Sequence, residues 1–538
     1  MAPFTMLGKR ARPFRASRSS SVIDDRSAQD VRQRTDRAHR VSQHEHFHSG
    51  CDPSPEETPT LESPLLVHRN PVHRIRLTLA ATFAFAALLA DNVAHATTLA
   101  FPVLAPVFSK LETSLHDRPV VTDLAFLLGL IVLVMMAYAA RHIAFTLNRL
   151  FGKQRHPYLD IDTADWPMLT VFIAAHNEEK VIAGCLTALL NSDYPENRLK
   201  IVPVNDRSQD RTQSIIDGFA QRFPDRIHPF HRLTGKPGKA AALKDALPLA
   251  EGDIALIFDA DYIPGKGLLR QLAAPFFDPE VGAVMGRVVP VNGGSNLLTR
   301  LLDLERSAGY QVDQQARMNL RLVPQYGGTV GGIRRSAVDA VGGWNDDALA
   351  EDTDITFRLL IHGWKTVYSN RSECFEEVPE EWSVRIRQVR RWAKGHNQVL
   401  ARQWRGLWGS RFLSAREKVD GFMLLTIFAV PPLLLLGWGL ALTLYYLNAS
   451  SLVALVLPVF AVMAYGTLGN FATFYEIVMA VLLDGNRRRV RLLPINLLCF
   501  FVSLFAITWA SVELVTDRLL QRELVWHKTL RYRSASPT

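Results

Sequence analysis

Apolar runs long enough to cross a bilayer bracket a stretch of about 230 residues that has none, and this alternation constrains the fold more than any other feature. A run of ~20 apolar residues crosses the ~30 Å hydrocarbon layer as a helix. Two such runs, at about 77–96 and 120–140, precede the charged stretch, and three more, at about 419–447, 451–483 and 492–516, follow it. The first carries Asp91, and the second is followed by Arg141, His142, Arg149, Lys153 and Arg155. A cationic flank of this kind stays in the cytosol, which puts the intervening residues on the cytosolic side of a bacterial-type inner membrane. The loop holding Arg487, Arg488, Arg489 and Arg491 reads as cytosolic for the same reason. Five crossings would then deliver the tail, with Arg518, Arg522, Lys528, Arg531 and Arg533, to the outside. Either one run does not span or the tail breaks the charge rule.

The boundaries expected from this pattern are a disordered basic tail at 1–73, membrane helices at 74–145 and a cytosolic domain at 160–375. Interfacial helices at 376–416, membrane helices at 417–516 and a tail at 517–538 complete the chain. The net charge of +9 on 538 residues invites a nucleic-acid reading. The excess sits in the N-terminal tail and beside apolar runs, where anionic lipid headgroups are the fitting partner, so nucleic acid is excluded as a ligand. The first 20 residues hold five basic side chains and no acid, which mimics a transit peptide. A cytosolic tail that orients the first membrane helix is the simpler reading. Cys51, Cys185, Cys374 and Cys499 are too scattered for a metal site or a disulfide framework.

Residues 166–375 alternate short β-rich runs with helical patterns. Strands are expected at 169–174, 200–204 and 254–258, and helices at 178–190, 212–223 and 239–249. This rhythm implies an α/β domain with a mostly parallel sheet and helices on both faces. Such sheets bind ligands beyond the carboxyl ends of their strands.

The polar clusters fall at those ends. The first strand runs into His176-Asn177-Glu178-Glu179 and the second into Asn205-Asp206-Arg207-Ser208. Acids before a helix serve equally as N-caps, worth about 1 kcal/mol each. Gly235-Lys236-Pro237-Gly238-Lys239 opens a helix whose N–H groups and Lys239 can receive phosphate oxygens, although the spacing is not that of a P-loop. Asp259-Ala260-Asp261 ends the third strand. Residues i and i+2 of an extended chain face one side, so both carboxylates can meet Mg2+ or Mn2+ there. Ala350-Glu351-Asp352-Thr353-Asp354 opens a further helix expected at 355–362, and Asp352 is the candidate general base. Gln388, Arg391 and Trp392 stand at i, i+3 and i+4 in a basic amphipathic run at 382–404, so they share one helix face. That face offers an amide, a guanidinium fork for a diphosphate and a flat ring for a sugar.

In their order and spacing these clusters resemble the membrane-bound family 2 glycosyltransferases, which include cellulose, hyaluronan and poly-N-acetylglucosamine synthases. The resemblance covers about 168–404 and the flanking membrane segments. It implies a GT-A fold flanked by transmembrane helices, an inverting mechanism and a UDP-sugar donor. By the same resemblance, Asn177, Glu178 and Asp206 would line the nucleoside pocket and Lys239 would lie near the donor. Asp259 would support nucleotide and metal, and Asp261 would ligate Mg2+ or Mn2+. Asp352 would be the base, while Gln388, Arg391 and Trp392 would hold the diphosphate and the acceptor end. Two residues depart from the family pattern: Ala350 stands where Thr is usual, and His176 where Tyr is common. The segment 526–531 is similar to C-terminal Trp-containing segments of this group.

The expected reaction is transfer of a hexosyl unit to a glycan or lipid acceptor at the inner membrane face. Processive synthesis and export of a β-linked polysaccharide is the preferred expectation, because the membrane segments outnumber what anchoring needs. The alternative is single addition to a diacylglycerol- or ceramide-type lipid. A non-catalytic, nucleotide-responsive transporter or scaffold is the third reading, and the candidate base argues against it.

Overall fold

The computed structural model describes residues 119–157, 165–447, 471–520 and 522. The tail at 1–73 with Cys51, the apolar run at 77–96, residues 451–470 and the segment 526–531 lie outside the described residues.

The first described helix, α1 (Pro119–Phe151), is followed by strand β1 (Leu169–Ala175) and helix α2 (Ile182–Leu190). The same alternation continues with β2 (Leu199–Asp206), α3 (Thr212–Arg222), β3 (Phe230–Arg232), α4 (Lys239–Ala246) and β4 (Ile254–Asp259). β1, β2 and β4 fall where the apolar runs predict them, because each is buried along almost its whole length. The second half is built from β5 (Ile263–Pro264), β6 (Val281–Pro290), α5 (Leu297–Ser307), β7 (Gly331–Arg334), α6 (Glu351–Ile361) and β8 (Lys365–Glu376). The eight strands form one sheet in the order β3-β2-β1-β4-β7-β6-β8-β5. The β3-β2-β1-β4 half is parallel, whereas β7 runs antiparallel to both β4 and β6. The expected parallel sheet is therefore one half of a larger mixed one.

Beyond β8 come α7 (Trp382–Gly409), α8 (Ala415–Leu425), α9 (Val430–Tyr446), α10 (Phe471–Leu483) and α11 (Leu493–Leu519). The apolar run at 419–447 is not one helix. Ser414 and Glu417 form a capping box that starts α8, and Pro431 and Pro432 open α9. Proline suits a first helical turn but ends whatever helix precedes it, so the chain breaks between the two. Three described helices are long and apolar enough to cross a membrane: Val120–Phe151, Ile427–Tyr446 and Arg487–Leu519.

The membrane-length helices are joined to the sheet domain by buried charge. Arg141 of α1 bonds Asp313 at 2.6 Å, and Arg317 bonds Asp420 of α8 at 3.0 Å. Tyr138 of α1 donates to Met423 O at 2.7 Å.

Candidate active site

The ends of β1 and β2 are shaped by two non-glycine residues in the left-handed region, Asn177 at φ 54° and Arg207 at φ 55°. Such conformations cost of order 1–3 kcal/mol and persist where surrounding bonds enforce them. Here Gln209 N–H donates to Asn177 Oδ1 at 2.7 Å, and Asn177 N–H donates to Ser208 Oγ at 2.9 Å. The two strand ends are thereby laced together, with the buried Glu178 beside them. Asp206 is a hub. Its Oδ1 accepts from Arg232 at 2.7 Å and Arg207 at 3.0 Å, while Oδ2 accepts from Gly238 N–H at 3.0 Å. Gly238 stands at φ 116°, a value that L side chains rarely adopt, directly before Lys239 at the start of α4.

Lys239 Nζ donates to Asp259 Oδ1 at 2.5 Å and to Gly328 O at 2.8 Å. Burial opposes its charge, but Asp259 and Glu351 outweigh burial and hold the ammonium above its ordinary range. Asp261 is buried, and its Oδ2 accepts from Glu377 N–H at 3.3 Å. Among the described residues no three His, Cys, Asp or Glu side chains are grouped to hold a metal.

Glu351 and Asp352 fall in the first turn of α6, not before the helix. Burial and the neighbouring Asp352 charge push the Glu351 carboxyl up to about 7, with Lys239 opposing. Asp352 Oδ1 accepts from Thr353 N–H at 2.6 Å and from Thr353 Oγ1 at 3.3 Å. Its Oδ2 carries no hydrogen bond among the described residues. Thr353 Oγ1 in turn accepts from Gln325 Nε2 at 2.9 Å and lies 3.1 Å from His396 Nε2. Burial lowers the His396 imidazole to about 4, so it is neutral near pH 7, and its Nδ1 is buried without a hydrogen-bond partner among the described residues.

On α7, Arg391 makes no hydrogen bond or ion pair among the described residues and lines the same cavity as Asp352 and Asp259. Gln388 Oε1 accepts from Arg385 at 3.0 Å. The Trp392 ring carries two guanidinium groups, Arg306 at 5.4 Å and Arg385 at 5.3 Å from its centroid. The stacking surface expected for a sugar is thus partly engaged by the protein's own cations. Arg306 is fixed by Glu376 at 2.6 Å, which also accepts from Tyr262 at 2.9 Å.

One cavity of about 730 Å3 collects these groups. Glu178, Asp206, Lys239, Asp259 and Asp261 line it together with Asp352, Gln388, Arg391 and Trp392. So do the apolar Val430, Pro431 and Leu434 of α9 and Phe500, Leu504 and Ile507 of α11. Asn177 does not line it, although its neighbours His176 and Glu178 do. His396, Thr353, Arg306 and Glu376 were not read from the sequence as site residues. His396 had a signal, since it lies one turn beyond Trp392 on the same helix face.

The family described as "Glycosyltransferase like family 2" matches residues 167–395. The chain is 30% identical over 379 residues to the probable glycosyltransferase YdaM of Bacillus subtilis, covering 68% of this chain and 87% of that one. It is 33% identical over 304 residues to a beta-monoglucosyldiacylglycerol synthase of Synechocystis, covering 55% of this chain but only 63% of that relative. Among solved structures, a mannosyltransferase of Pyrobaculum calidifontis in complex with GDP-Man and Mn2+ aligns with a TM-score of 0.51 and 21% identity. That alignment covers 74% of this chain and 99% of the neighbour, a likeness of fold.

Proposed function

The chain belongs to glycosyltransferase family 2, and from that premise we propose that it transfers one hexosyl unit from a UDP-sugar to the hydroxyl of a diacylglycerol-type lipid, at the cytosolic face of the inner membrane. The observation that carries this reading is that the same cavity is lined by ionised groups and by Leu434 of α9 and Leu504 of α11. A lipid acceptor needs that combination, since its acyl chains favour apolar lining while its hydroxyl must meet a base. The monoglucosyldiacylglycerol in the name of the Synechocystis relative supports the same choice over polymer synthesis.

In the proposed step the acceptor oxygen attacks the anomeric carbon as the bond to the diphosphate breaks on the opposite side. The hydroxyl proton passes to Asp352 Oδ2, the oxygen left free while Thr353 holds Oδ1. Help of this kind typically contributes 10²–10⁴-fold. The configuration inverts, so an α-linked donor gives a β-linked product. Lys239, held by Asp259 and Gly328, and Arg391 are the cations set to balance charge on the departing UDP. Asn177, Glu178 and Asp206 serve the nucleoside, and Gln388 and Trp392 the diphosphate and acceptor end.

Asp259 and Asp261 fit a divalent cation only as a partial set, because two carboxylates leave most positions to donor oxygens and water, as Mg2+ and Mn2+ tolerate. Asp261 would ligate the ion and Asp259 support it. Mg2+ or Mn2+, when bound, supplies further neutralisation of the diphosphate.

The test is to incubate membranes with labelled UDP-sugars, diacylglycerol and Mg2+ or Mn2+, then extract with chloroform. One chloroform-soluble species bearing one sugar is expected. A ladder or high polymer in the aqueous phase would reject the lipid reading in favour of a β-glycan synthase, for which the polar wall at Arg306, Tyr310, Gln314 and Glu376 offers hydrogen-bonding groups.

A further inference from the structure

α11 is long and apolar enough to cross a bilayer, yet both of its ends are held by ionised groups of the catalytic unit. Its 27 residues extend about 40 Å at 1.5 Å per residue. A crossing helix of that length must put its two ends on opposite faces of the hydrocarbon layer. Immediately before α11, Arg489 pairs with Asp303 of α5. Asp484, at the end of α10, binds Arg287 of β6 at 2.5 Å and Ser307 at 2.7 Å. At the far end, Glu513 pairs with Arg390 and lies 3.1 Å from Lys394, while Asp517 lies 3.0 Å from Lys394. Arg390 and Lys394 flank Arg391, whose side chain lines the cavity with Asp206 and Asp259. Both ends of α11 therefore reach ionised groups of the same unit.

The middle packs on α7 on one side and, through Leu504, joins the cluster of α1 and α9 on the other. Ile507 and Ala510 pack with Val389 and Ala393 of α7, and Ser511 Oγ accepts from Asn397 at 3.1 Å. The opposite face of α11 carries Leu498, Phe501, Phe505, Val512, Val515 and Leu519, all exposed. Their spacing of three, four and seven residues makes one continuous stripe along the helix. Trp509, beside this stripe, donates to Glu513 at 2.7 Å. A rod apolar on both its protein face and its exposed stripe, with tryptophan at the margin and arginines at both flanks, has the composition of a crossing and of a surface helix alike, so the ion pairs at its two ends decide.

We infer that α11 does not cross the bilayer but lies along its surface, with the Leu498–Leu519 stripe in lipid, and that the chain leaves it at Leu520 on the catalytic side. The partner of the stripe is the acyl boundary of the leaflet that faces the catalytic unit. The charge count then closes. The Arg487–Arg491 loop and Arg518 then lie on the same side as the catalytic unit, where cationic flanks belong.

Membrane-impermeant maleimide labelling tests the inference in the full chain, with the native cysteines replaced by alanine. Single cysteines are placed by Gln221→Cys on the catalytic unit, Arg518→Cys after α11 and Tyr446→Cys at the end of α9. Gln221→Cys and Arg518→Cys are expected to label together in inverted vesicles, and Tyr446→Cys in intact cells. Arg518→Cys labelling alongside Tyr446→Cys would overturn the inference. A second measurement needs no substitution: the native chain carries either green fluorescent protein or alkaline phosphatase at its C-terminus in a bacterial host. Fluorescence without phosphatase activity is expected, and phosphatase activity without fluorescence refutes the surface helix. Neither readout depends on glycosyl transfer, so failure of the functional reading leaves this one standing.

Discussion

Gly395 of α7 rests directly against Ala350, so closely that a Cβ on the glycine would lie 2.6 Å from the alanine Cβ. Real Cβ atoms do not approach this near, so the contact sets how deeply α7 seats on the start of α6. It also gives a reason for alanine at a position where threonine is usual, since added atoms there would press on α7. Gly395→Ala is expected to cost about 1–3 kcal/mol of stability, the usual penalty of overpacking. Because the shift would separate His396 from Thr353, turnover should fall further than the folded fraction does. Thermal unfolding and steady-state turnover of the variant check both parts, and unchanged turnover would contradict the seating argument.

Asp352→Asn removes the base while preserving size. The variant is expected to bind UDP as the parent does, by calorimetry, and to lose about 10²–10⁴-fold in turnover. Near-parental turnover would reassign the base, and the adjacent Glu351 would be the next residue to test.

His396 is a positioning residue in this scheme, acting on Asp352 through Thr353. His396→Leu should lower kcat about tenfold, the worth of roughly one hydrogen bond, and leave the KM for the UDP-sugar unchanged. His396→Gln, which restores a nitrogen donor, should recover most of that loss. Equal losses in both variants would mean that the ring acts only by filling space.

Glu351 gives stability a pH dependence of definite sign. Its carboxyl ionises near 4.5 when free and near 7 when folded, so the fold favours the protonated form. The stabilisation from that proton is complete below pH 4.5 and is lost as pH rises through 7. Relative to Glu351→Gln, the parent should weaken by on the order of 1–3 kcal/mol between pH 4.5 and 7.5, with Lys239 limiting the loss. Parallel unfolding curves for the two proteins across that range would refute the assignment.

Much of the site was legible because its determinants are local. β1, β2 and β4 are parallel strands buried along almost their whole length, so they appear as short apolar runs, and Asn177, Asp206 and Asp259 follow where those runs stop. The faces of α7 obey helical spacing. The break at Pro431 and Pro432 and the capping box at Ser414 and Glu417 were equally local, but hydropathy alone merges α8 and α9 into one run. The segment Ala308–Gln314 forms a π-helix that brings Tyr310, Asp313 and Gln314 to the cavity, and no spacing rule announces it.

Sequence by itself determined the α/β alternation, the strand-end acids, the common face of Gln388, Arg391 and Trp392, and the presence of membrane-length helices. Each follows from a period or a length, which the chain carries in neighbouring residues. Only the tertiary structure decided that the Trp392 ring is shared with Arg306, that His396 reaches Thr353, and that Lys394 meets Asp517. Those pairs join residues tens to more than a hundred positions apart. Whether a 27-residue apolar helix crosses or lies flat depends on such pairs, because its length and hydropathy are the same in both orientations.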